Sequence, residues 1–100
     1  MSKMKKISAE EFNKLVRESK GDVYVDFFAE WCGPCKHFSP ILGVVAQDEV
    51  VYQVDIDESK ELAYEFDIMS IPCLILFRDG KEYKRSTGVI PEKQIRGMKK

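Results

Sequence analysis

The 100-residue sequence lacks a long apolar run, an excess of charge of either sign and any repeat or low-complexity tract. Its apolar runs are far shorter than the roughly 18 residues that suggest a membrane-spanning helix, so we expect no contact with a membrane. Lysine and arginine total 16 and aspartate and glutamate total 17. This balance leaves no net basic face for the phosphates of a nucleic acid, and we expect no nucleic-acid partner.

The N-terminal stretch also lacks the apolar segment of a secretory signal peptide. MSKMKKISAEEF carries positive charges, but no apolar stretch follows them. We therefore expect a cytoplasmic protein, a compartment in which a close cysteine pair is more often catalytic or metal-binding than a permanent bridge. Apolar residues make up 44% of the chain, enough for one packed core. We predict a single, monomeric domain over residues 1–100.

Local sequence patterns predict helices and strands in alternation. Apolar residues at helical spacing indicate helices, and β-branched and aromatic runs indicate strands. The predicted first half is a short strand at 5–7, a helix at 9–19, a strand at 22–29 and a helix from the Cys32/Cys35 pair to about Asp48. The second half is a strand at 50–56, a helix at 59–66, hairpin strands at 73–77 and 82–87, and a helix from Pro91 to about Met98. Such an order predicts an α/β fold, a mixed sheet covered by helices on both faces.

Two of the three cysteines, Cys32 and Cys35, directly follow the predicted strand 22–29 and are separated by Gly33 and Pro34. Positions i and i+3 lie on one side of a helical turn, so the two sulfur atoms can meet. A helix N-terminus favours an anion, and the thiolate is the reactive form of cysteine. We therefore predict that Cys32 is the nucleophile and that Cys35, deeper in the turn, is shielded and resolves the intermediate.

A metal site is the main alternative interpretation of the cysteines. A structural site needs about four ligands, and the candidates are Cys32, Cys35, Cys73 and His37. His37 lies roughly 140° around the helix from Cys32, so we expect it to point away and to be exposed. The sequence contains no second CxxC motif. We therefore expect neither a metal ion nor an iron–sulfur cluster.

Three stretches of sequence resemble the thioredoxin family. They are VDFFAEWCGPCKHFSPIL at 25–42, SIPCLILF at 70–77 and a glycine turn at Gly88, and the resemblance extends over residues 4–98. It implies a thioredoxin fold with a mixed central sheet of four to five strands and about four helices. It also implies a thiol–disulfide oxidoreductase that reduces protein disulfides without a bound cofactor. A flavoprotein of the thioredoxin-reductase type, using NADPH, would recycle it.

The resemblance also implies roles for residues around the cysteine pair. Asp26 would be a buried carboxyl that accepts the Cys35 proton, and desolvation in an apolar strand should raise its pKa. The Ile71–Pro72 peptide bond would be cis and would face the pair, offering the Ile71 backbone to an extended substrate strand. The implied docking surface comprises Trp31, Gly33, Pro34, Ile71, Pro72 and Gly88.

Three positions depart from the family pattern. Many relatives carry lysine where this chain has Gln53, which would leave Asp26 harder to ionise. Relatives usually have threonine after the cis-proline. In this chain the corresponding residue is Cys73. We interpret it either as a buried thiol that fills space or as a third redox thiol. The last helix is short and contains Gly97, which weakens helices.

Two alternatives to this enzyme remain open. One is a non-catalytic, thioredoxin-like module that docks proteins, although the intact Cys32, Cys35 and Asp26 argue against it. The other is a glutathione-dependent relative. Such relatives usually carry a different dipeptide between the cysteines, and the sequence shows no clear glutathione site.

Overall fold

The computed structural model describes residues 4–100, and this part of the chain contains five strands and four α-helices. The strands are β1 (Lys5–Lys6), β2 (Asp22–Phe28), β3 (Val51–Asp55), β4 (Cys73–Arg78) and β5 (Lys81–Thr87). The helices are α1 (Ala9–Phe12), α2 (Gly33–Val45), α3 (Lys60–Glu65) and α4 (Glu92–Gly97). A π-helical segment, Asn13–Arg17, continues α1.

The five strands form one mixed sheet in the order β1-β3-β2-β4-β5. β3 pairs in parallel with β1 and β2, and β4 pairs antiparallel with β2 and β5. The predicted α/β class and the mixed sheet are confirmed. Because β2 is the central strand, the cysteines that follow it lie where the middle of the sheet meets α2.

The core has two layers, one on each face of the sheet, because successive residues of β2 point to opposite faces. Val23, Val25 and Phe27 pack in the layer beneath α1 and α3, with Phe12 as one of its members. Tyr24 points the other way and packs with residues of α2 and α4. Helices therefore cover both faces, and five consecutive residues of β2 are buried.

Helix α1 begins as the sequence predicts but ends earlier. The Ser8 Oγ accepts a 3.1 Å hydrogen bond from the Glu11 backbone N–H, and the Glu11 carboxylate accepts one of 3.0 Å from the Ser8 N–H, which is a capping box. The predicted end at residue 19 is wrong. The chain widens into the π-helical segment, and the Ser19 hydroxyl donates to the Val16 carbonyl at 2.7 Å, closing the helical region after Arg17.

The start of α4 also differs from the sequence prediction, whereas the turn between β4 and β5 does not. Pro91 is the N-cap of α4 and not part of its first turn, because its ψ of 160° is extended. The turn between β4 and β5 lies at Asp79 and Gly80, as predicted, and both have positive φ, 53° and 83°. A side chain at Gly80 would meet the backbone carbonyl of Arg17, so this turn needs glycine for space as well as for φ.

Candidate active site

The Cys32–Cys35 pair lies at the N-terminus of α2, shortly after the end of β2. The two residues form a disulfide with a Cα–Cα distance of 5.3 Å. Cys32 is the N-cap of α2, with Gly33 and Pro34 as the first helical residues. The Cys35 backbone N–H donates to the Cys32 Sγ at 3.2 Å. This amide is one of those that a helix N-terminus leaves without an intrahelical partner, so it can stabilise negative charge on Cys32 once the disulfide is reduced.

The two cysteines are equally buried in this oxidised state, at 4% exposure each. The predicted stronger shielding of Cys35 relative to Cys32 is therefore not seen in the bridged form. The disulfide holds both sulfurs in a small cluster with Ala29, packed against Phe28, Ile56 and Ile71. What distinguishes the two cysteines here is the hydrogen bond that Cys32 accepts, and not their exposure.

Asp26 is fully buried in the middle of β2. Its backbone position lies between Gln53 on β3 and Leu74 on β4. The Gln53 Nε2 donates to Asp26 Oδ2 at 3.1 Å, whereas Oδ1 is buried and has no hydrogen-bond partner within residues 4–100. Burial raises the pKa of Asp26 to about 7, and the hydrogen bond from Gln53 offsets a smaller part of that rise. The carboxyl can therefore exchange a proton near neutral pH.

A cleft of about 360 Å³ borders the cysteine pair on the Cys35 side. It is lined by Lys6, Phe28, Ala29, Glu30, Cys35, Lys36, Ser39 and Gln53. Gln53 thus contacts both the buried Asp26 carboxyl and the cleft that Cys35 borders. Cys35 and Gln53, the residue that hydrogen-bonds Asp26, therefore border the same cleft.

Trp31 is the most exposed apolar side chain next to the cysteines, at 69%. Its indole Nε1 donates to the Asp57 Oδ2 at 2.8 Å, so an exposed ring is held in one place. Gly33 and Pro34 are exposed beside it. These three positions form a continuous stretch of sequence around the disulfide, open to a partner chain.

The segment before β4 also packs against the cysteine pair. The Ile71–Pro72 peptide bond is cis, as the resemblance implies, and the half-buried Ile71 packs against the cysteine cluster. Pro72 is buried, and its carbonyl accepts a 2.8 Å hydrogen bond from the Gly88 N–H. Gly88 has a φ of 92°, a conformation that favours glycine. The predicted docking residues thus lie in three segments, with Ile71 against the pair and Pro72 beneath the surface.

Comparison with known proteins agrees with this geometry. The family model for thioredoxin matches residues 3–100. The chain is 45% identical to a thioredoxin of Chlamydia trachomatis over 86 residues, which cover 83% of this chain and 82% of that one. A thioredoxin of Mycoplasmoides gallisepticum is 41% identical over 93 residues, 90% and 92% of the two chains. The chain belongs to the thioredoxin family.

A solved structure shows the same fold. The thioredoxin of Malassezia sympodialis superposes with a TM-score of 0.86 at 30% identity, and the match covers 99% of this chain and 90% of that one. As a member of the thioredoxin family, this protein is a thiol–disulfide oxidoreductase, with the Cys32–Cys35 disulfide as its redox centre. The family has no cofactor of its own and acts on disulfides in partner proteins.

The third cysteine of this thioredoxin-family chain lies apart from the pair. Cys73 is 2% exposed and packs in the core layer that also contains Val25 and Phe27. Burial raises the pKa of its thiol, which disfavours the reactive thiolate. These observations favour the interpretation that Cys73 fills space in the core over that of a third redox thiol.

Within residues 4–100, neither His37 nor any cluster of side chains indicates a metal site. His37 is exposed on α2. Among the residues that the structure describes, no group of three or more histidine, cysteine, aspartate or glutamate side chains could hold a metal ion. Across the same residues, every helix is too short or too polar to cross a membrane.

The sequence did not predict the contacts that two polar residues of the site make. Asp57, which holds Trp31, was missed, and Gln53 was noted only as a departure from the family pattern. Asp57 follows β3 by two residues, and Trp31 follows β2 by three. Because these strands are parallel neighbours, their carboxyl ends meet at one edge of the sheet. That rule was the available signal for Asp57.

Proposed function

We propose that this protein reduces disulfide bonds in other proteins and that a flavoprotein of the thioredoxin-reductase type, using NADPH, returns it to the dithiol form. The observation that supports this most directly is the position of Cys32 as N-cap of α2, with the Cys35 N–H on its sulfur. A sulfur in that position is stabilised as a thiolate. The thiolate is the attacking species in thiol–disulfide exchange.

The reaction takes two exchange steps. The Cys32 thiolate attacks a substrate disulfide, forming a bond between Cys32 Sγ and one substrate sulfur and releasing the other as a thiolate. Asp26 accepts the proton of the Cys35 thiol, and the Cys35 thiolate attacks Cys32 Sγ. The second substrate sulfur leaves as a thiolate, and the Cys32–Cys35 disulfide remains. The substrate gains two electrons and the cysteine pair loses two.

The pKa of about 7 at Asp26 supports its role as the proton acceptor. Near neutral pH a carboxyl with this pKa is partly ionised, so it can accept a proton from Cys35 and release it before the next cycle. A carboxyl at its ordinary pKa of about 4 would be ionised but a much weaker base.

The residues around the disulfide support docking of an extended substrate segment. Trp31, Gly33 and Pro34 offer exposed surface next to the sulfurs in sequence, and Ile71 packs against the cysteine cluster. The substrate chain would lie across this surface, in backbone contact with Ile71 and Gly88. We further propose that the chain acts as a single-domain monomer in the cytoplasm.

Reduction of insulin by the purified protein tests the proposal. The reaction would be supplied either with NADPH and a bacterial thioredoxin reductase or with glutathione. We expect turnover with the reductase and little with glutathione. Cys32→Ser should abolish turnover, whereas Cys73→Ala, which removes a thiol outside the pair, should retain it. A folded protein that gives no turnover with either donor would contradict the proposal.

A further inference from the structure

The Asp26 carboxyl is held by only one of its two oxygens. Oδ2 accepts the 3.1 Å hydrogen bond from Gln53 Nε2. Oδ1 is equally buried but has no partner within residues 4–100. Buried polar atoms are almost always hydrogen-bonded in folded proteins, so the difference between the bonded Oδ2 and the unbonded Oδ1 is an unusual feature of this site.

The asymmetry determines where a proton binds. An amide N–H can only donate, so it favours the oxygen that stays an acceptor, the carbonyl oxygen of a protonated carboxyl. Protonation at Oδ1 keeps the Gln53 bond and turns the unpartnered oxygen into a hydroxyl. Protonation at Oδ2 would place a hydrogen on the oxygen that already accepts one. Oδ1 is therefore the favoured site of protonation.

Gln53 also connects this carboxyl to the resolving cysteine. It is half-buried, and it lines the cleft that Cys35 borders. Its neighbour across the β1–β3 pairing is Lys6, which lines the same cleft. Gln53 is thus the side chain that touches Asp26 on its inner side and the cleft on its outer side.

We propose that Gln53 is a positioning residue for the resolving step, in that its amide holds Asp26 Oδ2 and leaves Oδ1 to take the proton of the Cys35 thiol. This inference rests on the proposed function, since it assumes that Asp26 serves Cys35. Proton transfer converts the thiol to a thiolate and the Asp26 carboxylate to an acid whose carbonyl oxygen, Oδ2, still accepts from Gln53. The hydrogen bond therefore persists in both protonation states.

No charged side chain near the cleft replaces Gln53 as the partner that holds Asp26 Oδ2 in residues 4–100. From β4, the titratable neighbour is the Cys73 thiol. From β1, the β2–α2 turn and α2, charged side chains line the cleft: Lys6, Glu30 and Lys36. Within residues 4–100 neither lysine forms an ion pair with Asp26, and Lys6 pairs with Glu58 at 3.0 Å.

Two substitutions at position 53 should move the pKa of Asp26 in opposite directions. Gln53→Met removes the donor at similar size and should raise the pKa by about one unit, the effect of losing a hydrogen bond to a charged group. Gln53→Lys keeps an N–H donor, adds a positive charge and should lower it. Ser39→Ala changes the same cleft without touching the Asp26 bond and should leave the pKa unchanged. The readout is an NMR titration of the Asp26 carboxyl carbon in the oxidised protein.

Infrared spectroscopy identifies the oxygen that carries the proton. In wild-type protein with Asp26 protonated, the C=O group should be Oδ2, with its stretch lowered by the Gln53 hydrogen bond. Gln53→Met should then move this band to higher frequency. If the proton resided on Oδ2, the C=O group would be the unpartnered Oδ1, and Gln53→Met would leave the band in place, which would overturn the assignment.

Single-turnover kinetics test the link to Cys35. The pH midpoint of the resolving step should follow the Asp26 pKa, higher in Gln53→Met and lower in Gln53→Lys, while attack by Cys32 keeps its own pH dependence. Unchanged midpoints in both variants, with normal mixed-disulfide formation, would overturn the inference and leave the proposed function intact. A wild-type protein that forms no mixed disulfide with insulin would instead refute the proposed function, whatever the NMR titration shows.

Discussion

The indole Nε1 of Trp31 donates a 2.8 Å hydrogen bond to Oδ2 of Asp57, although the Trp31 side chain is 69% exposed. An exposed aromatic ring without such a bond would sample several rotamers, and a partner would have to order it on binding. The pair therefore fixes one wall of the proposed docking surface before a substrate arrives.

We predict that Asp57→Ala raises the KM for a protein disulfide about threefold, because a weak hydrogen bond is lost and Trp31 must be ordered on binding. The kcat should change little, since Asp57 takes no part in the two exchange steps proposed above. Asp57→Asn keeps an acceptor oxygen and serves as the matched control. An unchanged KM in Asp57→Ala, with altered Trp31 fluorescence anisotropy confirming a mobile ring, would show that the ring needs no fixed position.

A second prediction concerns the dependence of stability on pH. Burial raises the pKa of Asp26 from 3.8 to about 7 in the folded protein, so the folded state binds a proton that the unfolded state has already released. The stability from this group is fully present below about pH 4 and is lost as the pH rises through about 7.

Asp26→Asn mimics the protonated carboxyl at every pH. Near pH 8 we expect its free energy of unfolding to exceed that of the wild type by on the order of 4 kcal/mol, and near pH 4 we expect the two to agree closely. Urea denaturation across this pH range measures the difference. A constant difference at all pH values would show that the Asp26 pKa is the same in the folded and unfolded states.

The third prediction separates the two interpretations of Cys73. Because Cys73 is 2% exposed and burial raises the pKa of its thiol, a thiol reagent such as DTNB should not label the oxidised native protein within minutes. After unfolding in guanidinium chloride one thiol should react. Cys73→Val, similar in size, should keep wild-type turnover. Fast native labelling, or lost turnover in a folded Cys73→Val protein, would favour the redox interpretation.

A fourth prediction concerns the attachment of the short last helix. The buried Tyr24 hydroxyl on β2 donates to the Ile95 carbonyl of α4 at 2.8 Å. Tyr24→Phe removes this bond, while the Ile95 carbonyl keeps a 3.1 Å hydrogen bond from the Met98 N–H, so we expect a loss of about 1 kcal/mol in the free energy of unfolding. Exposed Tyr64→Phe is the matched control and should cost nothing measurable. Equal stability of the two variants would show that the hydroxyl does not hold α4.

The sequence predicted those parts of the fold that depend on local patterns. Alternation of helices and strands, the capping box at Ser8 and the turn at Asp79–Gly80 follow from residues close together in the chain, and the structure confirms them. The π-helical widening after Phe12 was not predicted, because it depends on hydrogen bonds such as that from the Glu18 N–H to the Asn13 carbonyl, which no sequence period marks.

The site was predicted less evenly. The position of Cys32 at the start of α2 followed from the strand before it, whereas the burial of Asp26 was implied by the resemblance to the thioredoxin family. The partners of these residues come from β3 and the segment after it, through contacts between Asp26 and Gln53 and between Trp31 and Asp57. Such pairs depend on which strands become neighbours, and composition and spacing along one strand do not report that.

The most direct test of the account is the pKa of the Cys32 thiol in the fully reduced protein. The absorbance of the thiolate near 240 nm would be followed against pH, with Cys35→Ser and Cys32→Ser variants to assign each step. Because Cys32 is the N-cap of α2 and accepts the Cys35 N–H, we predict that it titrates well below the free-cysteine value of about 8.5, and that Cys35 titrates above it. A Cys32 that holds its proton as firmly as a free cysteine would contradict the account.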